Sequence, residues 1–120
     1  MDIESLHDFT MSLGEVEETQ PFGPDNIVYK VNSKMFLLIA TDESPLKFNV
    51  KCNPELAIEL REQYSSVLPG YHMNKKHWNT IVVDGNISTA KLNECSINSL
   101  SFAVGIFPSI TIVFQCFLFM

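Results

Sequence analysis

The residues best suited to chemistry lie in one short segment. Residues 69–80 read PGYHMNKKHWNT and place two lysines, two histidines and a tryptophan within twelve positions. Lysines displace the counterions condensed on a phosphate backbone, while amide and aromatic groups reach base edges or stack on bases. The pattern therefore predicts a nucleic-acid-binding loop with these contributing residues: His72, Asn74, Lys75, Lys76, His77, Trp78 and Asn79.

The same segment also has a structural interpretation. Tyr71 and Trp78 are able to pack the loop onto a core, and the side chains of His72 and Asn74 are able to satisfy backbone groups of a turn. The residue types favour packing for the two aromatic rings. For the basic side chains of the loop they leave binding and structure equally open.

Two more lysines precede this loop. Residues 46–52 read LKFNVKC, in which apolar and polar residues alternate. A period of two with one polar face predicts an antiparallel strand that packs on one side only. The open face of that strand would carry Lys47, Asn49 and Lys51. We expect Lys47 and Lys51 to extend the basic surface of the loop.

The charge of the chain is unevenly distributed. The formal net charge is −6, from 14 acidic and 8 basic residues. The first 26 residues contain seven acids and neither lysine nor arginine, whereas residues 27–120 contain eight bases and seven acids. The local field decides where a phosphate docks, so an acidic total does not exclude a polyanion partner.

No motif of an enzyme or a cofactor site is present. The sequence has no nucleophile elbow, no P-loop and no dinucleotide-binding glycine pattern. His72 and His77 are five residues apart, which does not suit two metal ligands on one helix face. Cys52, Cys95 and Cys116 form no CxxC pair, and the polar N-terminus lacks a signal-peptide pattern. We therefore predict a non-enzymatic cytoplasmic protein with no metal, cofactor or small-molecule substrate, in which Cys52 is a buried, inert thiol.

Periodicity and turn residues predict a single α+β domain over residues 1–104. The loop at residues 15–26 is expected to be anchored to the core by Phe22. The predicted order is a helix from Asp2 to Gly14, strands at 27–31, 35–41 and 46–52, a helix capped by Asn53, a strand from Asn79, and a helix capped by Ser88. This order predicts an antiparallel sheet with helices packed on one face.

The C-terminal residues 105–120 are apolar and raise a separate question. No charged residue follows Glu94, and residues 102–120 are mostly apolar with Pro108 among them. Such a stretch has the length of a membrane anchor. A buried helix end and a coding artefact are the alternatives, and the absence of flanking basic residues favours the artefact. We expect a membrane partner only if this tail is authentic.

Four stretches of the sequence together resemble the MmcQ/YjbR family of small bacterial proteins. They are PFGPDNIVYKV, KMFLLIA, LKFNVKCNPELAIELREQY and PGYHMNKKHWNTIVVDG. The resemblance implies a CyaY-like fold, with a curved antiparallel sheet backed by helices, and DNA binding through a double-wing arrangement. The tail departs from the family pattern, because it lacks the usual tyrosine and all charged residues.

Three functional hypotheses follow from these observations. The favoured one is a DNA-binding protein that uses the basic loop and the open sheet face. The first alternative is a protein-interaction module in which the same loop contacts a protein partner. The second is weak cation binding by the acidic first helix, where Glu4 and Asp8 share a face, by analogy with the acidic ridge of frataxin. A solvated acidic face is the favoured interpretation of that helix.

Overall fold

The computed structural model describes residues 1–70 and 73–105. In this part of the chain the helices are α1 (Ile3–Met11), α2 (Pro54–Gln63) and α3 (Thr89–Ala103). The strands are β1 (Glu17–Thr19), β2 (Asn26–Val31), β3 (Lys34–Ala40), β4 (Lys47–Lys51), β5 (Val67–Pro69) and β6 (Trp78–Val82). They form one antiparallel sheet in the order β1-β2-β3-β4-β6-β5. The predicted α+β architecture is confirmed.

The three helices begin at the residues that the sequence predicted. Asp2 accepts a hydrogen bond from the backbone N–H of Ser5 at 2.8 Å and forms a capping box with it. Asn53 caps α2 at 2.8 Å with Pro54 in the first turn, and Ser88 caps α3 at 3.2 Å. These side chains satisfy backbone donors that have no partner within the helix. Local sequence therefore fixes where each helix starts.

A tight hairpin joins β2 to β3. Its central residues, Asn32 and Ser33, both have positive φ angles, of 50° and 64°. Two-residue hairpin loops favour this conformation because its twist matches that of the flanking strands. The two predicted strands that flank these residues are therefore joined by a hairpin.

The register of the sheet separates a core face from an open face. Leu37, Val50 and Asn79 lie side by side on the core face, where the three helices pack. The next row lies on the open face and consists, across the sheet, of Val28, Leu38, Asn49, Thr80 and Leu68. Each helix contributes apolar side chains to the core, including these: Leu6 of α1, Leu60 of α2, and Leu92 and Cys95 of α3.

The structure differs from the predictions at two points, and one further prediction lies outside the described residues. The strands β1 and β5 were not predicted, because each has only three residues and shows no periodicity. Phe22 does not anchor its loop to the core; its exposed fraction is 63%. The tail beyond residue 105 lies outside the described residues. Among the residues that are described, no helix has the length and apolar character needed to span a membrane.

Candidate nucleic-acid interface

The loop before β6 is closed by contacts of its own backbone. The N–H of Gly70 donates to the carbonyl of Trp78 at 2.9 Å, and the N–H of Trp78 donates to that of Asn74 at 3.0 Å. The approach at Gly70 is so close that an added Cβ would lie 2.8 Å from Cβ of Trp78. The side chain of Asn74 accepts from the N–H of Lys76 at 2.9 Å. This turn leaves the side chains of Lys75 and Lys76 exposed.

The sheet places Lys51 beside the same turn. Lys51 lies opposite Trp78 in the β4–β6 register, and the N–H of Cys52 donates to the carbonyl of His77 at 2.7 Å. Lys51 therefore lies near Lys75 and Lys76, although 24 residues separate it from the nearer one along the chain.

Arg61 of α2 contributes a fourth cation that sequence reasoning missed. Its Nε donates to Oδ1 of Asn79 at 2.6 Å, and its Nη2 donates to the carbonyl of Lys75. Asn79 is fully buried and also donates to the carbonyl of Ala57 at 3.1 Å. The four residues Lys51, Arg61, Lys75 and Lys76 are called the basic cluster below. Arg61 is the sole arginine of the chain, and this is the one feature of the sequence that could have marked it as a candidate site residue.

The basic cluster is not neutralised within the part of the chain that the structure describes. Ion pairs within 4.0 Å there join His7 to Glu18, Lys47 to Glu43, and Lys91 to Glu94. None of these involves a member of the cluster. A phosphate that approaches the cluster therefore meets positive charge without a competing carboxylate in contact with it.

Two predicted contact residues are not accessible, and this corrects the prediction. Trp78 is 6% exposed and Asn79 is buried against α2, so neither can stack on a base or reach a base edge in this conformation. The favoured packing role of Trp78 is confirmed. His77 is half-buried, with its ring stacked on Phe102 of α3 at a centroid distance of 6.1 Å. His72, like Tyr71, lies outside the described residues.

The open face does not carry one continuous basic surface. Lys47 lies at the other end of β4 from Lys51, about 13 Å away at the rise of an extended strand, and it pairs with Glu43 at 3.5 Å. Asn49 lies between the two lysines but is only 8% exposed, and its Oδ1 accepts from the hydroxyl of Thr80 at 2.5 Å. Of the two lysines, only Lys51 therefore lies beside the loop, and its part in binding stays a prediction.

The two cysteines within the described residues are buried thiols. Burial raises the pKa of Cys52 to about 11 and that of Cys95 to about 12. Both thiols are protonated at neutral pH, and a thiol is a far weaker nucleophile than a thiolate. The prediction that Cys52 is buried is confirmed, and its low reactivity stays a prediction.

The acidic N-terminal segment contacts the edge of the sheet. Nδ1 of His7 lies 2.8 Å from the hydroxyl of Tyr29 and 3.5 Å from a carboxylate oxygen of Glu18. Burial is the main cause of the raised pKa of Tyr29, and the charge of Glu18 adds to it. Within residues 1–70 and 73–105, no group of three or more histidine, cysteine or carboxylate side chains converges in a way that could hold a metal ion.

The fold and the surface together define a class of protein. It is a small α+β protein whose antiparallel sheet is covered by helices on one face, with a cationic cluster around the turn that precedes β6. The chain belongs to the YjbR family, whose family model matches residues 11–99.

Relatives and solved structures agree with this assignment. The chain is 35% identical over 108 residues to the uncharacterized protein YbdF of Escherichia coli O157:H7, covering 87% of this chain and 88% of that protein. It is 34% identical over 79 residues to YjbR of Escherichia coli K12, covering 66% and 67%. Protein DR2400 of Deinococcus radiodurans, with a DUF419 domain, matches with a TM-score of 0.81 at 30% identity, over 95% of this chain and 86% of that one. A Pseudomonas syringae protein at 23% identity shares the fold, with a TM-score of 0.75 over 86% of this chain and 99% of its own.

Proposed function

We propose that this protein binds nucleic acid through the phosphate backbone at the basic cluster. The observation that carries the proposal is that four cations, from β4, α2 and the loop, lie around the turn before β6, and that no ion pair within the described residues joins any of them to a carboxylate. The proposed role is binding without catalysis.

The chemistry of the cluster determines what kind of binding is expected. Lys75 and Lys76 are exposed and flexible ammonium groups, which neutralise phosphates without reading the base sequence. Arg61 holds the carbonyl of Lys75 and so fixes the position of the turn. With Trp78 and Asn79 buried, the described part of the loop offers little direct base readout. We therefore expect affinity that depends strongly on salt and weakly on sequence.

A salt titration tests the proposal. Fluorescence anisotropy with a labelled duplex would be measured at about 50 to 200 mM salt, and four phosphate contacts predict a slope of log K against log salt of about −3.6. The variant Lys75→Gln with Lys76→Gln should reduce the magnitude of that slope by about 2.

The matched control removes two positive charges elsewhere. Lys47→Gln with Lys91→Gln gives the same net charge as the loop variant, but both residues pair with carboxylates and neither belongs to the cluster. Its slope should match that of the wild-type protein. No binding at the lowest salt, or an equal loss of slope in both double variants, would refute the proposal.

A further inference from the structure

The open face of the sheet contains two adjoining grooves that the basic cluster does not use. Their volumes are about 330 and 370 Å³, and both are lined by Ala40, Glu43 and Asn49. Each volume lies at the lower end of the range of about 300 to 1,000 Å³ seen in ligand sites. The two together have room for a short segment of chain in an extended conformation.

Apolar side chains form a wall of each groove. Phe22 lines one groove and Leu68 the other, with exposed fractions of 63% and 45%. They are two of the three large hydrophobic residues that the described structure leaves exposed, the third being Ile58 on α2. Exposed apolar side chains that adjoin a groove, rather than standing singly, are typical of a contact surface.

The base of the grooves offers a hydrogen-bond donor. Asn49 is 8% exposed and lines both grooves, and its carbonyl oxygen is engaged by the hydroxyl of Thr80. Its amide nitrogen has no protein acceptor among the residues that the structure describes. This nitrogen is not one of the buried atoms without a partner, so it is open to the groove, where a carbonyl oxygen of a bound molecule would accept its hydrogen bond.

The charge at the rim is negative. Asp42 and Glu43 line the grooves, and among the described lining residues the only lysine or arginine is Lys47, which pairs with Glu43. Asp42 has no ion pair within the described part of the chain. This charge disfavours a polyanion and favours a cationic partner.

We propose that these grooves dock an extended segment of a partner protein with two bulky apolar residues at positions i and i+2 and a lysine or arginine beside them. Alternate side chains of an extended segment point the same way, so one enters the groove beside Phe22 and the other the groove beside Leu68. A backbone carbonyl of the segment accepts from the amide of Asn49. The basic residue lies against Asp42.

Chemical shifts in nitrogen-15-labelled protein test this proposal with two probe peptides. They are acetyl-Phe-Lys-Leu-Lys-amide and the matched acetyl-Phe-Glu-Leu-Glu-amide. The lysine peptide should shift the backbone amides of Leu38, Ala40 and Asn49, and the glutamate peptide should bind about tenfold more weakly. Asp42→Asn should weaken binding of the lysine peptide and, because it removes a like charge, should strengthen binding of the glutamate peptide.

Two further variants distinguish peptide binding in the grooves from nonspecific hydrophobic binding elsewhere on the surface. Phe22→Ala should weaken binding of the lysine peptide about fivefold or more, because it removes the wall of one groove. Ile58→Ala removes another exposed apolar side chain, 53% exposed, from α2 and should have no effect.

Three outcomes would overturn the proposal: no groove shifts with about 5 mM lysine peptide, equal binding of both peptides, or no effect of Phe22→Ala. An oligonucleotide that shifted the same groove amides would assign the grooves to nucleic acid and would also overturn it.

Discussion

Asn79 is the residue whose removal should disturb both the fold and the basic cluster. Its carboxamide is fully buried, accepts from Nε of Arg61 at 2.6 Å and donates to the carbonyl of Ala57 at 3.1 Å. Hydrogen bonds to a charged group contribute about 1.5 to 3 kcal/mol, and neutral ones about 0.5 to 1.5 kcal/mol. Asn79→Ala should therefore lower the free energy of unfolding by about 2 to 4 kcal/mol.

Urea denaturation followed by circular dichroism measures this loss. Domains are stable by only about 5 to 15 kcal/mol, so the expected change is a large fraction of the total and lowers Tm by about 10 °C. The control is Asn86→Ala, at an exposed turn position. It should leave the free energy of unfolding within about 0.5 kcal/mol of the wild-type value.

A double-mutant cycle with Arg61→Ala tests the mechanism. If the Asn79–Arg61 hydrogen bond carries the loss, the two single variants should be non-additive by about 1 to 3 kcal/mol. Additive effects, or a destabilisation by Asn79→Ala no larger than that of Asn86→Ala, would show that this contact does not hold α2 against β6.

Three other predictions follow from named contacts. Gly70→Ala should destabilise the fold by about 1 to 3 kcal/mol in urea denaturation, because its Cβ would lie 2.8 Å from Cβ of Trp78. Ser66→Ala should raise the pKa of Asp84 toward its ordinary value of 3.8, because hydrogen bonds from Ser66 are the main cause of its lowering, and a carbon-13 NMR titration would measure the change. The lowered pKa stabilises the fold above the unfolded pKa, and this stabilisation is lost as the pH falls through the folded pKa. Acid unfolding should show that it is smaller in the variant. Cys52 should resist iodoacetamide at pH 8 until the protein unfolds, as peptide mapping by mass spectrometry would detect, because burial raises its pKa to about 11.

Local patterns in the sequence were sufficient to predict most of the scaffold. Asp2, Asn53 and Ser88 mark the helix starts because a cap forms within three residues of the chain. The alternation in residues 46–52 identified which face of β4 is open, because the side-chain period of a strand is two. The edge strands β1 and β5 were not predicted, because three residues are too few to show the alternation of a strand.

The composition of the site depends on contacts between distant parts of the chain. Whether Lys47 or Lys51 joins the loop is decided by the pairing of β4 with β6, which no local pattern determines. Arg61 donates to the carbonyl of Lys75, which is 14 residues away along the chain. Its second partner, Asn79, was predicted from its residue type to contact bases. Residue types therefore identified the loop, whereas tertiary pairing decided which of its side chains remain available.

The separation of charge along β4 explains how an acidic chain can present a cationic surface. Lys51 belongs to the basic cluster, while Glu43 and Asp42 lie near Lys47, about 13 Å away. At about 0.15 M salt the Debye length is about 8 Å, so those carboxylates are largely screened from a phosphate at the cluster. At about 0.01 M it reaches about 30 Å, comparable to the extents of the molecule, 37 × 31 × 27 Å. The whole charge of −6 then repels the ligand. A plot of log K against log salt should therefore flatten at the lowest concentrations, whereas a straight line down to about 0.01 M would mean that the acidic groups have no influence on the cluster.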